Sequence, residues 1–429
     1  MHKIFESRAT KNQGFEGKWI KKRINKGFDR FFRSQSKIEI NHKPKTTKLL
    51  MTHMKKMTTI RSGLATAMMF LACTVQAQYF HVPTLKIGDP APPMIVETWL
   101  RGNPVKNFEK GKVYVVDFWA TWCGGCIASF PHLSAIADKH KDNVRFISVD
   151  SYEIDVLKKG GNPAAAVKDF LETPPGKRLS IDVSVDRDSS MFSGWIKPLR
   201  RRGFPTTFVI DQEGKLAWID VNLDQLDWVL QQVLARKWDN KKSLAIMEQR
   251  DAIEDQFFKT FQEKDPATKR KNYQEILSAC ESLEKQYPDR KDAAAFYKVM
   301  ALSELDKKRV PLQLEEMAAN PLSRYIHLDD AAGLISRRTD LTQRDYAAIA
   351  KVQERLLLNE HNGTGRGGKT LRSYEGLATT YAKLGDKNKA VANMEKAIAI
   401  ANTENTDPEQ IKKLNAALSK YKTLPFKKS

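Results

Sequence analysis

The sequence predicts an α/β layered domain followed by an all-α domain. Three observations carry that expectation. Lys112 to Trp119 (KVYVVDFW) is a nearly continuous apolar, β-rich run, the pattern of a strand buried on both faces of a parallel sheet. Strand-like and helix-like segments alternate from about Leu85 to Trp238, the order that builds helices onto a sheet. From Lys241 to the end no convincing strand appears.

The elements follow in chain order. After the first strand comes a segment with helical spacing, Ile127 to His140, and then a second apolar strand, Val144 to Val149. Ala164 to Leu171 reads as a helix, Asp182 to Val185 as a short strand and Ser190 to Leu199 as a helix. Thr206 to Ile210 and Leu216 to Ile219 are strands joined by the acidic turn Asp211-Gln212-Glu213-Gly214, and Leu223 to Ala235 is a helix. Beyond Trp238, Phe257, Phe258, Phe261, Tyr273, Ile276, Leu277, Cys280 and Leu283 recur at helical spacing, and roughly seven to nine helices are expected. Thr342 with Asp345 predicts a capping box, and Asp407-Pro408 a helix start with proline at the first position. Cys280 shares a face with Tyr273, Ile276, Leu277 and Leu283 and is expected to be an inert core residue.

The charge is unevenly spread. The chain of 429 residues carries +21, but residues 1–77 hold 17 Lys and Arg against 4 Asp and Glu, leaving +8 on the remainder. That remainder is too modestly basic to point to nucleic acid as a partner. Within the basic segment, Lys55, Lys56 and Arg61 precede the 13-residue apolar run Gly63–Val75, which ends in Val75-Gln76-Ala77. The run is shorter than the ~20 residues a membrane-spanning helix needs and is ordered as a secretory signal peptide, with cleavage expected after Ala77. The expected organisation is 1–50 as a basic tail or an upstream start codon assigned in error, 51–77 as the signal, 78–238 as the α/β domain and 239–429 as the helical domain. The mature protein is then periplasmic or otherwise extracytoplasmic. The alternative is a lipid anchor on Cys73, which follows Leu71-Ala72.

Four cysteines are present, at positions 73, 123, 126 and 280, too few for a disulfide framework. Trp122-Cys123-Gly124-Gly125-Cys126 follows the first strand directly and opens a helix. A cysteine there meets the positive end of the helix dipole and unpaired backbone N–H groups, which favour thiolate, and two intervening residues let a small disulfide ring form and open. Cys123, exposed at the turn, is the expected nucleophile and Cys126, a turn further in, the resolving thiol. Zinc would need two more ligands at matching spacing, and none is found, so no metal or other cofactor is expected. A merely structural disulfide is the other reading of an isolated pair. Asp117, six residues before Cys123 in the buried strand, is costly to bury unless it serves; taking and returning a proton at Cys126 would be such a use. Phe204-Pro205 precedes a strand, and a cis proline there would offer a backbone edge to an extended substrate.

These motifs resemble the thioredoxin superfamily and, within it, the exported TlpA/ResA-like thiol–disulfide oxidoreductases. The resemblance covers residues 85–238 and rests on Gly88-Asp89-Pro90-Ala91-Pro92, on Val116 to Cys126 (VDFWATWCGGC), on Phe130-Pro131 and on Gly203 to Phe208 (GFPTTF). It implies a central mixed sheet flanked by helices, Pro205 as the cis proline, and Asp117 as the buried acid. It also implies that Trp122, Gly124, Gly125 and Phe204 contact the substrate. The implied activity is reduction of disulfides in exported proteins, with re-reduction by a membrane-embedded thiol donor. Gly125 stands where reducing members commonly have proline, and Phe204 is bulky, so a disulfide oxidant or isomerase is the alternative, as is a helical protein-binding scaffold carrying a redox-sensing module.

In the helical half, Tyr374, Leu377, Ala378, Tyr381, Ala390, Met394 and Ala397 fall at the offsets of one tetratricopeptide unit, with Gly385-Asp386 at the turn, and resemble that family over about 34 residues. A protein partner is expected on this half. Gly363 to Thr370 (GTGRGGKT) fits a P-loop pattern but lacks a preceding strand, so nucleotide is not expected. Arg200-Arg201-Arg202 is read as a solvated helix end.

Overall fold

The seven residues of β2, Val113–Trp119, are all buried, as their apolar run requires, and they form the centre of a six-stranded mixed sheet. In this computed structural model, residues 84–199, 203–359, 369–404 and 406–425 are described. The signal segment with Cys73 and Ala77, Arg200 to Arg202, and positions 360–368, which include most of the P-loop-like stretch, lie outside the described residues.

The remaining strands are β1 (Val96–Arg101), β3 (Val144–Asp150), β4 (Asp182–Asp186), β5 (Thr206–Ile210) and β6 (Leu216–Asp220), in the order β1-β4-β3-β2-β5-β6. β2, β3 and β4 are parallel; β5, β6 and β1 join antiparallel. Helix α1 (Gly124–His140) connects β2 to β3, α2 (Ile154–Lys158) and α3 (Pro163–Leu171) connect β3 to β4, and α4 (Leu226–Leu234) follows β6. Pro131 sits inside α1 without ending it. The stretch expected as a helix before Leu199 is a single π turn, Phe192–Ile196.

Strand β1 is not among the expected strands. Its VETWLR lies mostly half-buried at the sheet edge and pairs with β4 through two register shifts, so neither a clean alternation nor an apolar run announces it.

Two apolar clusters sandwich the sheet. Val113, Val115 and Trp119 of β2 pack with Cys126, Phe130 and Leu133 of α1. Tyr114, Val116 and Phe118 pack on the other face with Trp195, Phe208 and Ile210. Asp117 has the same parity as Val115 and Trp119, so the sheet alternation puts its side chain on the α1 face.

From Asn240 on, the described residues contain nine α-helices: α5 (Asn240–Gln262), α6 (Pro266–Gln286), α7 (Ala295–Leu305), α8 (Val310–Ala319), α9 (Tyr325–Ile335), α10 (Gln343–Leu356), α11 (Leu371–Leu384), α12 (Lys387–Thr403) and α13 (Pro408–Lys422). Thr342 and Asp345 make the capping box at α10, and Asp407 caps α13. Cys280 is fully buried in a cluster with Tyr273, Ile276 and Leu283. Tyr374, Leu377, Ala378 and Tyr381 of α11 bury against Ala390, Met394 and Ala397 of α12, and Gly385 ends α11 at φ +75°, a left-handed position that suits glycine. Helices α10 and α11 flank positions 360–368, and the Thr370 hydroxyl caps α11 by accepting from Ser373 N–H at 3.2 Å.

The α/β layer and the helices belong to one compact unit and meet through buried charge. Asp220, at the end of β6, receives Arg250 of α5 at 3.4 Å and also Arg324, just before α9. Asp224 accepts the Tyr325 backbone N–H at 2.7 Å. Gln225 donates to Asp292 at 2.8 Å and to the Leu322 carbonyl at 2.7 Å. Next to them Arg290 pairs with Asp292 at 3.1 Å and lies over the Trp228 ring.

Candidate active site

The cysteine pair sits where β2 ends and α1 begins, at the carboxyl edge of the parallel strands. Cys123 is the N-cap of α1: its backbone is extended and its Sγ accepts the Cys126 N–H at 3.2 Å. A sulfur is thus aimed at a donor of the helix N-terminus, where partial positive charge favours negative sulfur. Cys123 and Cys126 form a disulfide, with an S–S distance of 2.05 Å.

Exposure differs from expectation. Cys123 is 7% exposed and Cys126 fully buried, whereas Trp122, Gly124 and Gly125 around them are exposed. The accessible edge of the pair is therefore a narrow strip of Cys123, with the exposed Trp122 ring beside it. A Cβ on Gly124 would meet nothing within 4 Å, and one on Gly125 would meet only Pro205 Cδ, at 4.0 Å. The Phe204–Pro205 peptide is cis, and β5 begins at the next residue, Thr206, opposite Phe118 of β2. This register brings Pro205 beside the cysteine turn.

Asp117 is 1% exposed, and its Oδ1 accepts the Thr207 hydroxyl at 2.6 Å across the β2–β5 pairing. Burial pushes its carboxyl up to about 7, the Thr207 bond opposing in part. A buried acid poised near neutral pH, on the face that packs against α1, can change protonation state during a redox cycle.

Several residues at this edge have no counterpart in the expected set. Trp122 donates its indole N–H to the Tyr152 carbonyl at 3.3 Å, and its ring lies 6.0 Å from Phe204. Phe204 meets Phe192 at 6.2 Å, and Phe192 stacks on Tyr152 at 4.6 Å, so four aromatic rings arch beside the disulfide. Glu153 accepts the Thr121 backbone N–H at 2.6 Å. The one sequence signal for this group is the acid-rich DSYE immediately after the apolar strand β3, at the strand end where α/β sheets gather their sites.

The family model described as Redoxin matches residues 86–227. Protein FixW of Rhizobium leguminosarum is 35% identical over 159 residues, covering 36% of this chain and 69% of that relative. The chain belongs to the ResA/FixW group of thioredoxin-like thiol–disulfide oxidoreductases. Thiol-disulfide oxidoreductase ResA of Bacillus thuringiensis subsp. konkukian is 32% identical over 145 residues, which is 33% of this chain and 73% of the relative. A solved thioredoxin-like protein in the oxidized form overlays 35% of this chain and 99% of its own with a TM-score of 0.29 and 21% identity. Like its ResA relatives, this chain is a thiol–disulfide oxidoreductase; its thioredoxin-like segment is followed by the helical stack. Among the described residues no group of three or more His, Cys, Asp or Glu could hold a metal ion, and no helix is long and apolar enough to cross a membrane.

Proposed function

We propose that this oxidoreductase reduces disulfides of extracytoplasmic proteins by a Cys123/Cys126 dithiol–disulfide cycle. The observation that carries the proposal is the Cys123 Sγ serving as N-cap of α1 while Cys126 lies buried behind it. In the reduced enzyme the Cys123 thiolate attacks a substrate sulfur. A new S–S bond forms, the substrate disulfide breaks, and the released thiolate takes a proton. Cys126, losing its proton to the Asp117 carboxylate, then attacks Cys123 and expels the second substrate thiolate, which leaves the enzyme oxidised. The cis Pro205 edge, with Trp122, Gly124, Gly125 and Phe204, holds the substrate chain extended beside Cys123.

The remaining assignments rest on the sequence and on family membership. The signal segment 51–77 supports an extracytoplasmic location, and a membrane-embedded thiol donor would return the two electrons. The domain boundary is proposed at 238/239, between the last helix of the α/β layer and α5. The helical stack, with its tetratricopeptide-like pair α11/α12, is proposed to bind a protein partner. An oxidising or isomerising role is the rival direction, favoured by Gly125 in place of proline.

The test is trapping. Cys126→Ser should accumulate mixed disulfides with exported proteins through Cys123, and Cys123→Ser should abolish both turnover and trapping. Trapping by Cys123→Ser but not by Cys126→Ser would reverse the roles. A reduction potential near that of strong oxidants would turn the direction around.

A further inference from the structure

Two loops meet beside the disulfide. One is residues 151–153, directly after β3; the other is residues 187–191, between β4 and the π turn Phe192–Ile196. Of the four non-glycine residues with positive φ among the described residues, three lie in these loops: Tyr152 at +70°, Asp188 at +47° and Ser189 at +60°. Such backbone persists only where its surroundings enforce it, and it gathers at sites that clamp a ligand. The π turn that follows is a second irregularity of the kind found at functional sites.

Asp186, at the end of β4, ties the two loops together. One of its oxygens accepts the Met191 N–H at 2.7 Å; the other accepts the Phe192 N–H at 3.0 Å and the Ser151 hydroxyl at 2.5 Å. The residues so held close a cycle. Tyr152 stacks on Phe192 at 4.6 Å, Phe192 meets Phe204 at 6.2 Å, Phe204 meets Trp122 at 6.0 Å, and the Trp122 indole N–H returns to the Tyr152 carbonyl at 3.3 Å. Trp122 precedes Cys123 and Phe204 precedes the cis Pro205, so the cycle is continuous with the edge that holds the substrate chain. Tyr152, Phe192 and Phe204 are each only half-buried and Trp122 is exposed, which leaves ring surface open to a partner.

We propose that Tyr152 and Phe192, held in place by Asp186, form with Phe204 a subsite for an apolar side chain flanking the reactive cysteine of the substrate. Tyr152 and Phe192 are then specificity-determining residues, and Asp186 is a positioning residue. The proposal names a substrate class for the function given above and rests on the substrate disulfide being opened at the Cys123 turn. The charges of the two loops favour an apolar occupant over an ionic one. Glu153 and Asp186 are turned inward onto N–H and O–H donors, and the exposed Arg187 and Asp188 are opposite in sign. A partner is offered ring surface rather than charge, and taking that surface out of water together with an apolar side chain is favourable.

The test is competition at the mixed disulfide. Reduced Cys126→Ser protein is given equimolar symmetric disulfide dimers of two short peptides, identical except for Phe or Ser on both sides of the single cysteine. The attached peptide is read by mass spectrometry at early times. The Phe peptide should be attached in about tenfold excess. Tyr152→Asn removes the ring while suiting a left-handed backbone; it and Phe192→Ala should each bring the excess to within about twofold, while Tyr152→Phe keeps it. Asp186→Ala should lose the excess although both rings remain, and Asp186→Asn, which keeps an acceptor oxygen, should retain more of it. The ratio is blind to a general loss of thiol reactivity, which a merely structural change would cause. Equal attachment of the two peptides, or an excess indifferent to Tyr152→Asn and Phe192→Ala, would overturn the subsite. An excess unmoved by Asp186→Ala would overturn the positioning role. Preference for a Lys peptide over the Phe peptide would overturn the apolar assignment. The same competition is run on Cys123→Ser: should that variant trap instead, the Cys123 assignment fails while the ratio still reads the subsite, so the two failures give separate results. The mixed disulfide is common to reduction and oxidation, so the ratio does not depend on the direction of electron flow.

Discussion

Replacing Asp117 by Asn tests the buried acid directly. The Asp117 carboxyl is carried from its ordinary 3.8 to about 7 by burial, against the Thr207 hydrogen bond. At about 1.4 kcal/mol per tenfold, ionising it inside the fold costs about 4 kcal/mol more than in the unfolded chain. Below about pH 4 the acid is neutral in both states and the cost is absent. As pH rises from about 4 to about 7 the unfolded chain releases its proton while the fold retains it, so wild-type stability falls, and above about 7 the full cost is present. Asparagine does not titrate, and its carbonyl oxygen can still accept the Thr207 hydroxyl. Its amide hydrogens need a new acceptor, a loss of about 1–3 kcal/mol that does not vary with pH. The diagnostic quantity is therefore the slope. Denaturant unfolding of the oxidised protein should show the variant gaining about 3 kcal/mol over wild type between about pH 4.5 and about pH 8. The same variant should slow the resolving step about 10²–10⁴-fold if Asp117 takes the proton of Cys126. Parallel stability profiles would mean that Asp117 ionises freely in the fold, and the proton-transfer argument would lose its physical basis.

Other outcomes follow from the interface and the core. Asp220→Ala should destabilise by about 3–5 kcal/mol, because Arg250 and Arg324 would be left buried without their shared acid; chemical denaturation measures it. Burial pushes the Asp220 carboxyl up, but Arg324, Arg250 and the Asn222 and Val221 N–H groups more than offset it and hold the carboxyl below its ordinary range. Its contribution is therefore present above about pH 4 and lost as pH falls through the folded value, so the wild-type advantage over the variant should shrink in acid. Burial also pushes the Cys280 thiol up, and alkylation of Cys280 should be slow in the native protein and rapid only after unfolding. Trp122→Ala should raise KM for protein disulfides more than it lowers kcat, since the ring is exposed beside Cys123 and the fold does not bury it.

Much of the fold was legible because its signals are local. Strand β2 is apolar along its whole length since both faces are covered, and the cysteine motif follows it because a strand-to-helix turn presents a sulfur to a helix N-terminus. The capping box at Thr342 and the proline start at Pro408 are read from three or four consecutive residues. Strand β1 lacked such a signal: its pairing with β4 is made by a partner some ninety residues away in sequence and broken by bulges. The low exposure of Cys123 has no local signal either, since it comes from the apolar cluster on the α1 face, which gathers residues from distant parts of the chain.

The sequence by itself determined the α/β-then-helical order, the dithiol, its place at a helix start and the candidate acid six residues before it. These follow from residue type and short-range periodicity, which act within a turn or a strand. Only the tertiary structure decided how burial tunes Asp117, which aromatic rings gather beside the disulfide, and that Glu153 accepts the Thr121 N–H. It also decided that Asp220 joins the sheet layer to Arg250 and Arg324 of the helical stack. Those outcomes depend on desolvation and on contacts between residues far apart along the chain, and both exist only once the sheet has closed against α1 and the helices.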